Sequence, residues 1–171
     1  MESVDIARQD SMNLGVFCLT ETNDNILMWS HYADGHRGFC IEFERSEKNE
    51  LGGEKCVPVI YPEDNTVPIF KSDALSERKT FSRIATTKAK QWSYEREWRM
   101  ISKDPGGGLY PVPGRISAII FGFRMAPQSK TTIMNILGKD FLYFQAHQAA
   151  NSYTLNIRRF EFKYDSGKSV E

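Results

Sequence analysis

The sequence predicts an α+β fold, a mixed and largely antiparallel sheet with about three helices, in a single domain over 1–171. Three observations predict it. Strand-like stretches outnumber helix-like ones and often follow one another directly, unlike the strict alternation of a doubly wound parallel sheet. The run Arg115 to Phe123, RISAIIFGF, is apolar almost throughout, as a central strand buried on both faces is. Gly38 to Glu44 alternates, with Phe39, Ile41 and Phe43 on one face and Cys40, Glu42 and Glu44 on the other, which reads as a half-buried strand.

The elements follow in order. Residues 1–13 are polar and expected to be loose, as are 166–171. Leu14 to Glu21, LGVFCLTE, is a short strand. Thr22 to Asn25 supply four candidate N-caps for a helix over ILMWSHYA, which Asp34-Gly35 closes with Gly35 in a left-handed conformation. Lys55 to Tyr61 is a strand that Pro58 confines to an edge or a bulge. Ser72 to Gln91 reads as a helix with a thin apolar stripe. Trp92 to Ser102 reads as a strand, DPGGG as a break, and Leu109 to Val112 as a short strand. After the central strand, Pro127 opens a helix that Gly138 ends. Asp140 to His147 and Tyr153 to Tyr164 are the last strands.

The totals exclude several classes. Lys plus Arg, 22, equals Asp plus Glu, 22, so no global charge draws the chain to nucleic acid or an anionic membrane. No apolar run reaches the roughly 20 residues of a membrane span, and the first residues lack the apolar core of a signal peptide. Cys18, Cys40 and Cys56 are odd in number and lack Cys-x-x-Cys spacing, which points to a reducing cytoplasm and inert, buried thiols. No Gly-x-Gly-x-x-Gly, phosphate-loop or His-Glu-x-x-His pattern occurs, and no acidic-histidine set has metal-ligand spacing.

Four stretches carry candidate chemistry. In WSHYADGHRG, His31, Tyr32 and His36 are expected to line a helix-to-strand corner, with Trp29 beside them; the plain alternative makes Trp29 and Tyr32 core anchors and the histidines backbone-satisfied. In YEREWR, a strand would point Glu95, Glu97 and Arg99 one way, with the carboxylates about 7 Å apart. Like charges so close raise one pKa toward acid–base use, unless Arg99 pairs with one of them or the face is simply solvated. Glu42 and Glu44 read as a solvated strand face. Arg78, Lys79, Arg83, Lys88 and Lys90 read as a solvated basic helix face rather than a nucleic-acid site.

The runs CLTETNDNILMWSHYADGHRGFCIEFE and WSYEREWRMIS together resemble a widespread bacterial and phage family of unknown function. The likeness spans about Gly15 to Ser102. Members of that family have a further N-terminal segment before the CLTE run, so the chain is expected to be a truncated or divergent member. Glu95-Arg96-Glu97 is also similar to the Glu-x-Glu pattern of ADP-ribosyltransferases. That resemblance implies NAD as co-substrate and Glu97 as catalytic carboxylate. It implies that Glu95 orients the nucleophile, that Tyr32 stacks on nicotinamide, and that His31 or His36 holds ribose or pyrophosphate. Arg99 and Trp29 complete the expected nucleotide site, and the acceptor would be a protein or nucleic acid. The expected rival is a non-enzymatic module in a phage-defence or toxin system that binds a nucleotide or a partner at the His31–His36 corner. Either way His31, Tyr32, Glu95 and Glu97 are expected in one cavity.

Overall fold

The computed structural model describes residues 15–64, 66, 83–102 and 109–161. The loose ends expected at 1–13 and 166–171, and most of the helix expected from Ser72, lie outside the described residues. The fold is α+β and mostly antiparallel, with the strands in two sheets. The chain divides into two compact units, Met1–Thr22 with Arg45–Arg115 and Asn23–Glu44 with Ile116–Glu171.

The first unit is built on a three-stranded antiparallel sheet. Its strands are β1 (Gly15–Thr20), β3 (Cys56–Pro58) and β4 (Glu97–Ser102), in the order β1-β4-β3. Cys18 pairs with Arg99, Thr20 with Glu97, and Val57 with Arg99 across the ladders. Because antiparallel partners share a face, Cys18, Thr20, Glu97 and Arg99 stand on one side of the sheet. Pro58 sits on an edge strand, where its missing N–H costs no ladder bond.

The expected strand Trp92 to Ser102 is corrected at its start. Lys90–Glu95 is a 3-10 helix, and Arg96 ends it in the left-handed region at φ 46°. The β-pattern of alternating aromatic and charged residues hid a tight turn that only a left-handed residue closes. Residues 83–85 are helical, and Thr87 already bridges to Ile60, so the helix expected through Gln91 ends before it. Residues 109–112 form no strand.

The second unit holds the sheet β2-β5-β6-β7, with β2 (Phe39–Phe43), β5 (Ile116–Phe121), β6 (Leu142–Gln148) and β7 (Leu155–Arg159). β5 and β6 run parallel, joined through α2 (Pro127–Leu137), while the other pairs are antiparallel. β5 is internal, and Ala118 to Phe121 are fully buried on both faces, as the apolar run predicted. Ile120 packs with Trp29 and Ala33 around α1 (Ile26–Tyr32), with Ala146 and Leu155 beside them. Ile119 and Phe121 pack on the other face against Met134 of α2, Met125 and Tyr143. Asn25 caps α1 by accepting from the N–H of Leu27 and Met28. Gly138 ends α2 at φ 80°, as expected.

The faces of β2 are reversed from expectation. Cys40 packs on the core around Trp29, whereas Phe39 and Ile41 are 44% and 42% exposed. β2 is an edge strand, and α1 covers the Cys40 side of it, so the smaller side chain faces the core. Cys56 is buried and Cys40 half-buried, but Cys18 is exposed, against the buried setting expected for it.

Backbones meet closely where β5 leaves the sheet. A Cβ on Gly122 would lie 2.1 Å from the carbonyl oxygen of His36 and 2.9 Å from that of Gly38. Gly122→Ala is therefore expected to destabilise the protein by about 1–3 kcal/mol through forced backbone movement. A urea midpoint equal to that of the wild type would contradict this packing.

Candidate functional site

The first unit gathers charge on one face of its sheet. Glu95 and Glu97 are 2% and 6% exposed, an uncommon depth for carboxylates. The left-handed turn at Arg96 places Glu95 at the end of the 3-10 helix and Glu97 at the start of β4. They are thus not neighbours two apart on one strand, the arrangement the alternation implied. Instead both carboxylates take hydrogen bonds from one lysine, Lys88, whose Nζ contacts Glu95 Oε2 and lies 3.1 Å from Glu97 Oε2. Arg99 grips Glu97 from within the same strand, with Nε 2.8 Å from Oε1 and Nη2 3.1 Å from Oε2. Its Nη1 donates to the carbonyl oxygen of Ala85 at 2.6 Å.

The surrounding residues finish the enclosure. The Cys18 thiol hydrogen-bonds Glu97 from the neighbouring strand. Tyr61 Oη accepts from the backbone N–H of Glu97 at 3.0 Å, and Thr20 Oγ1 donates to the carbonyl oxygen of Glu95 at 2.6 Å. Lys88 also lies 5.0 Å from the ring centre of Trp92, whose ring stands 6.0 Å from that of Tyr94. Formal charges within the group cancel, two carboxylates against Lys88 and Arg99.

The electrostatics follow from these contacts. Burial opposes ionisation of Glu97, but hydrogen bonds from Arg99, Cys18 and Lys88, and the charge of Arg99, hold its pKa down to about 2. Burial works against the Lys88 ammonium, and its bonds to Glu95 and Glu97 outweigh that and push its pKa up. Partial burial of the sulfur, then Glu97, pushes the Cys18 thiol up, so it stays protonated and is no ready nucleophile.

On the opposite sheet face, Glu21 holds the turn in place. Its carboxylate accepts from Trp98 Nε1 at 2.6 Å and pairs with Arg96 Nη2 at 2.7 Å, and its backbone N–H donates to the carbonyl oxygen of Arg96. The Arg45 guanidinium stacks 3.8 Å over the Trp98 ring.

The other expected site residues belong to the second unit. Trp29 is a core residue whose Nε1 donates to the carbonyl oxygen of Asn23 at 2.7 Å. His31 and Tyr32 are exposed on α1, their rings edge to face at 6.2 Å. His36 is 7% exposed, and its backbone is left-handed at φ 70°. Its Nε2 lies 2.9 Å from Ser30 Oγ, and its ring packs 4.6 Å from that of Phe123. Burial, then the charge of Arg124, lowers the pKa of His36. Glu42 and Glu44 are exposed, as read from sequence. Of the basic residues, Arg78 and Lys79 lie outside the described residues and Arg83 is exposed. Lys88 is no solvated face residue but the centre of the charge cluster.

Sequence reasoning missed Lys88, Tyr61 and Cys18 as neighbours of the carboxylates. The usable signal was the shared ladder of CLTE and EREWR, which puts Cys18 opposite Arg99. Nothing local marked Lys88. Among the described residues no group of three His, Cys, Asp or Glu side chains has the geometry to hold a metal, and no helix is long and apolar enough to cross a membrane.

Residues 28–100 match the model of a family of proteins of unknown function, DUF2971. No curated protein and no solved structure matches the chain. The matched span holds α1 from Met28 onward, β2 and the whole of the Glu95–Arg99 stretch.

Two outcomes test the cluster. Lys88→Met leaves two buried carboxylates with one cation between them, and is expected to cost on the order of 3 kcal/mol in chemical denaturation. Glu97 has a folded pKa below its ordinary 4.5, so its stabilising contribution is complete above about pH 4.5. It is lost as pH falls from there toward 2. Across that window the unfolding free energy of the wild type should drop more steeply than that of Glu97→Gln, and parallel curves would remove Glu97 from the account.

Proposed function

We propose that the first unit binds NAD and supports ADP-ribosyl transfer to a protein or nucleic-acid acceptor, with Glu97 as the carboxylate beside the reacting ribose. One observation carries the reading: Glu97 is nearly inaccessible and yet held ionised, near a pKa of about 2. In such a transfer the bond from ribose C1′ to the nicotinamide nitrogen breaks. Nicotinamide departs neutral with the electron pair, and positive charge develops on the ribose. The acceptor nucleophile then bonds to C1′ and gives up its proton. A fixed anion in low-dielectric surroundings lowers the energy of that cation without reorganising at the moment of reaction.

In this reading each residue of the cluster has a role. Arg99 fixes the carboxylate plane of Glu97 through two contacts. Lys88 is shared between two carboxylates, so it can pass wholly to Glu95 and release Glu97 Oε2 to a ribose hydroxyl. In this reading Glu95 anchors Lys88 rather than orienting the nucleophile. Trp92 and Tyr94 give an aromatic surface next to Lys88 for a planar base.

The second reading, a non-enzymatic module in a phage-defence or toxin system, has its own support. Both oxygens of Glu97 are already engaged by protein donors. On that account the cluster is a permanent brace, and recognition occurs elsewhere.

Titration of NAD followed by Trp fluorescence, with free nicotinamide measured in parallel, separates the two. Transferase chemistry predicts a saturable response and slow release of nicotinamide to water. Glu97→Gln should lower that release about 10²-fold or more, the usual effect of removing a charge-stabilising group. A wild-type protein with no saturable response overturns the NAD reading and leaves the brace.

A further inference from the structure

In the first unit a single residue separates the two buried carboxylates, and its backbone sits where its side chain is disfavoured. Arg96 lies between Glu95 and Glu97 at φ 46° and ψ 49°. In this left-handed region Cβ crowds the backbone, and glycine alone escapes the cost. Turning Arg96 to the extended region would swing the segment before it relative to β4. Glu97 is fixed in the ladder opposite Thr20, and its carbonyl oxygen accepts from the N–H of Val59 at 2.8 Å. Lys88 is tied to the same side, since its N–H donates to the carbonyl oxygen of Ile60 at 3.0 Å. Glu95 is therefore the member of the cluster that a change at Arg96 would carry away from Lys88.

The turn is held from both faces of the sheet. On the cluster face, Thr20 Oγ1 donates to the carbonyl oxygen of Glu95. On the opposite face Glu21 makes three contacts. Its N–H donates to the carbonyl oxygen of Arg96 at 3.2 Å, and its carboxylate accepts from Arg96 Nη2 and Trp98 Nε1. The Arg45 guanidinium over the Trp98 ring pins that indole in turn. The side chains of Arg96 and Glu21 are 61% and 40% exposed, whereas the carboxylates beyond the turn are buried. An exposed ion pair is screened by salt and contributes little by itself, so this hold is weak enough to open.

We propose that Glu21 and Arg96 form a latch on the solvent-facing side of the sheet that sets the state of the buried cluster on the other side. With the latch closed, Lys88 is shared between Glu95 and Glu97. With it open, Arg96 relaxes to the extended region, Glu95 withdraws, and Lys88 passes to Glu97 alone. Glu97 is then gripped by Lys88 and Arg99 with no second carboxylate to draw the ammonium off. An agent that takes either member of the exposed pair opens the latch without entering the cluster. The latch stands on the geometry of the turn. Its consequence for nucleotide chemistry rests on the transferase reading, in which Glu97 Oε2 must come free of Lys88.

The test uses the whole chain without nucleotide, so failure of the transferase reading leaves it intact. Two NMR signals are read. The Cα and Cβ shifts of residue 96 distinguish left-handed from extended backbone, and solvent exchange of the Lys88 ammonium protons is slowed by its two carboxylates. Glu21→Ala should move the residue 96 shifts toward extended values and speed Lys88 exchange about tenfold, the weight of one charge-assisted hydrogen bond. Adding Arg96→Gly to Glu21→Ala should return Lys88 exchange to the wild-type rate, because glycine keeps the turn without the latch. That rescue separates a latch from general support of the fold, since the glycine restores no contact that Glu21→Ala removes. Arg96→Val opens the turn with Glu21 intact, as a β-branched residue resists positive φ, and Lys88 should again exchange about tenfold faster. Wild-type exchange in either Glu21→Ala or Arg96→Val, or fast exchange that glycine does not reverse, overturns the latch. Where Glu21→Ala fails to fold, Arg96→Val against Arg96→Gly decides: fast exchange in the first and wild-type exchange in the second are expected, and equal rates overturn it.

Discussion

The first unit depends on one arrangement, a single lysine between two buried carboxylates. Among its described residues, buried apolar side chains are few, with Leu51, Cys56 and Val59 the principal ones. Polar contacts among these residues converge on Glu95 and Glu97. The segment after β3 reaches them through Val59 N–H to the Glu97 carbonyl oxygen, and then through the Tyr61 hydroxyl. Lys88 arrives because Ile60 pairs with the chain at Thr86 to Lys88 through two short backbone bonds. Removing either carboxylate would leave an ammonium or guanidinium poorly matched in a desolvated place, which costs more than the pair contributes. The network therefore specifies the arrangement more than it stabilises the fold.

The same contacts explain why two distant runs of sequence act together. Cys18, Thr20 and Glu21 come from the CLTE run; Glu95, Arg96, Glu97 and Trp98 come from YEREWR. Cys18 bonds the Glu97 carboxylate, Thr20 the Glu95 carbonyl oxygen, and Glu21 both Arg96 and Trp98. Glu21 works from the far face of the sheet, yet it stabilises the left-handed turn that brings Glu95 and Glu97 to a common lysine. It is a positioning residue: it touches neither carboxylate, and the convergence rests on it.

Much of the second unit was legible in the sequence, because its signals are local. The apolar run of β5, the Asn25 cap, and Pro127 with Gly138 around α2 each state a backbone preference that tertiary packing has no reason to override. The errors lie where long-range geometry decides. The alternation in FCIEF gave the strand but not the buried face, because which side α1 covers is not written in β2. Arg96 in a left-handed turn carries no glycine signal and was read through as strand. Lys88 looked like one more charge on a basic helix, since its partners are fixed by a bridge to Ile60 rather than by helical spacing. The site carboxylates were found for their spacing, while their actual relation, a shared cation across a turn, was not visible.

The two units treat buried charge in opposite ways. In the first, each buried carboxylate among the described residues has its cation, and the formal charges of Glu95, Glu97, Lys88 and Arg99 sum to zero. In the second, Lys130 occupies a helix stripe whose other members are Ile133, Met134 and Leu137, where a methionine would fill the same space without an ammionium to desolvate. Burial lowers the pKa of Lys130, and the neutral amide of Gln145 returns no charge to it. A buried ion pair can be understood as the fold specifying itself. Lys130 is met instead by the Gln145 amide oxygen and the face of the Phe160 ring, which offset part of the desolvation without supplying a counter-charge.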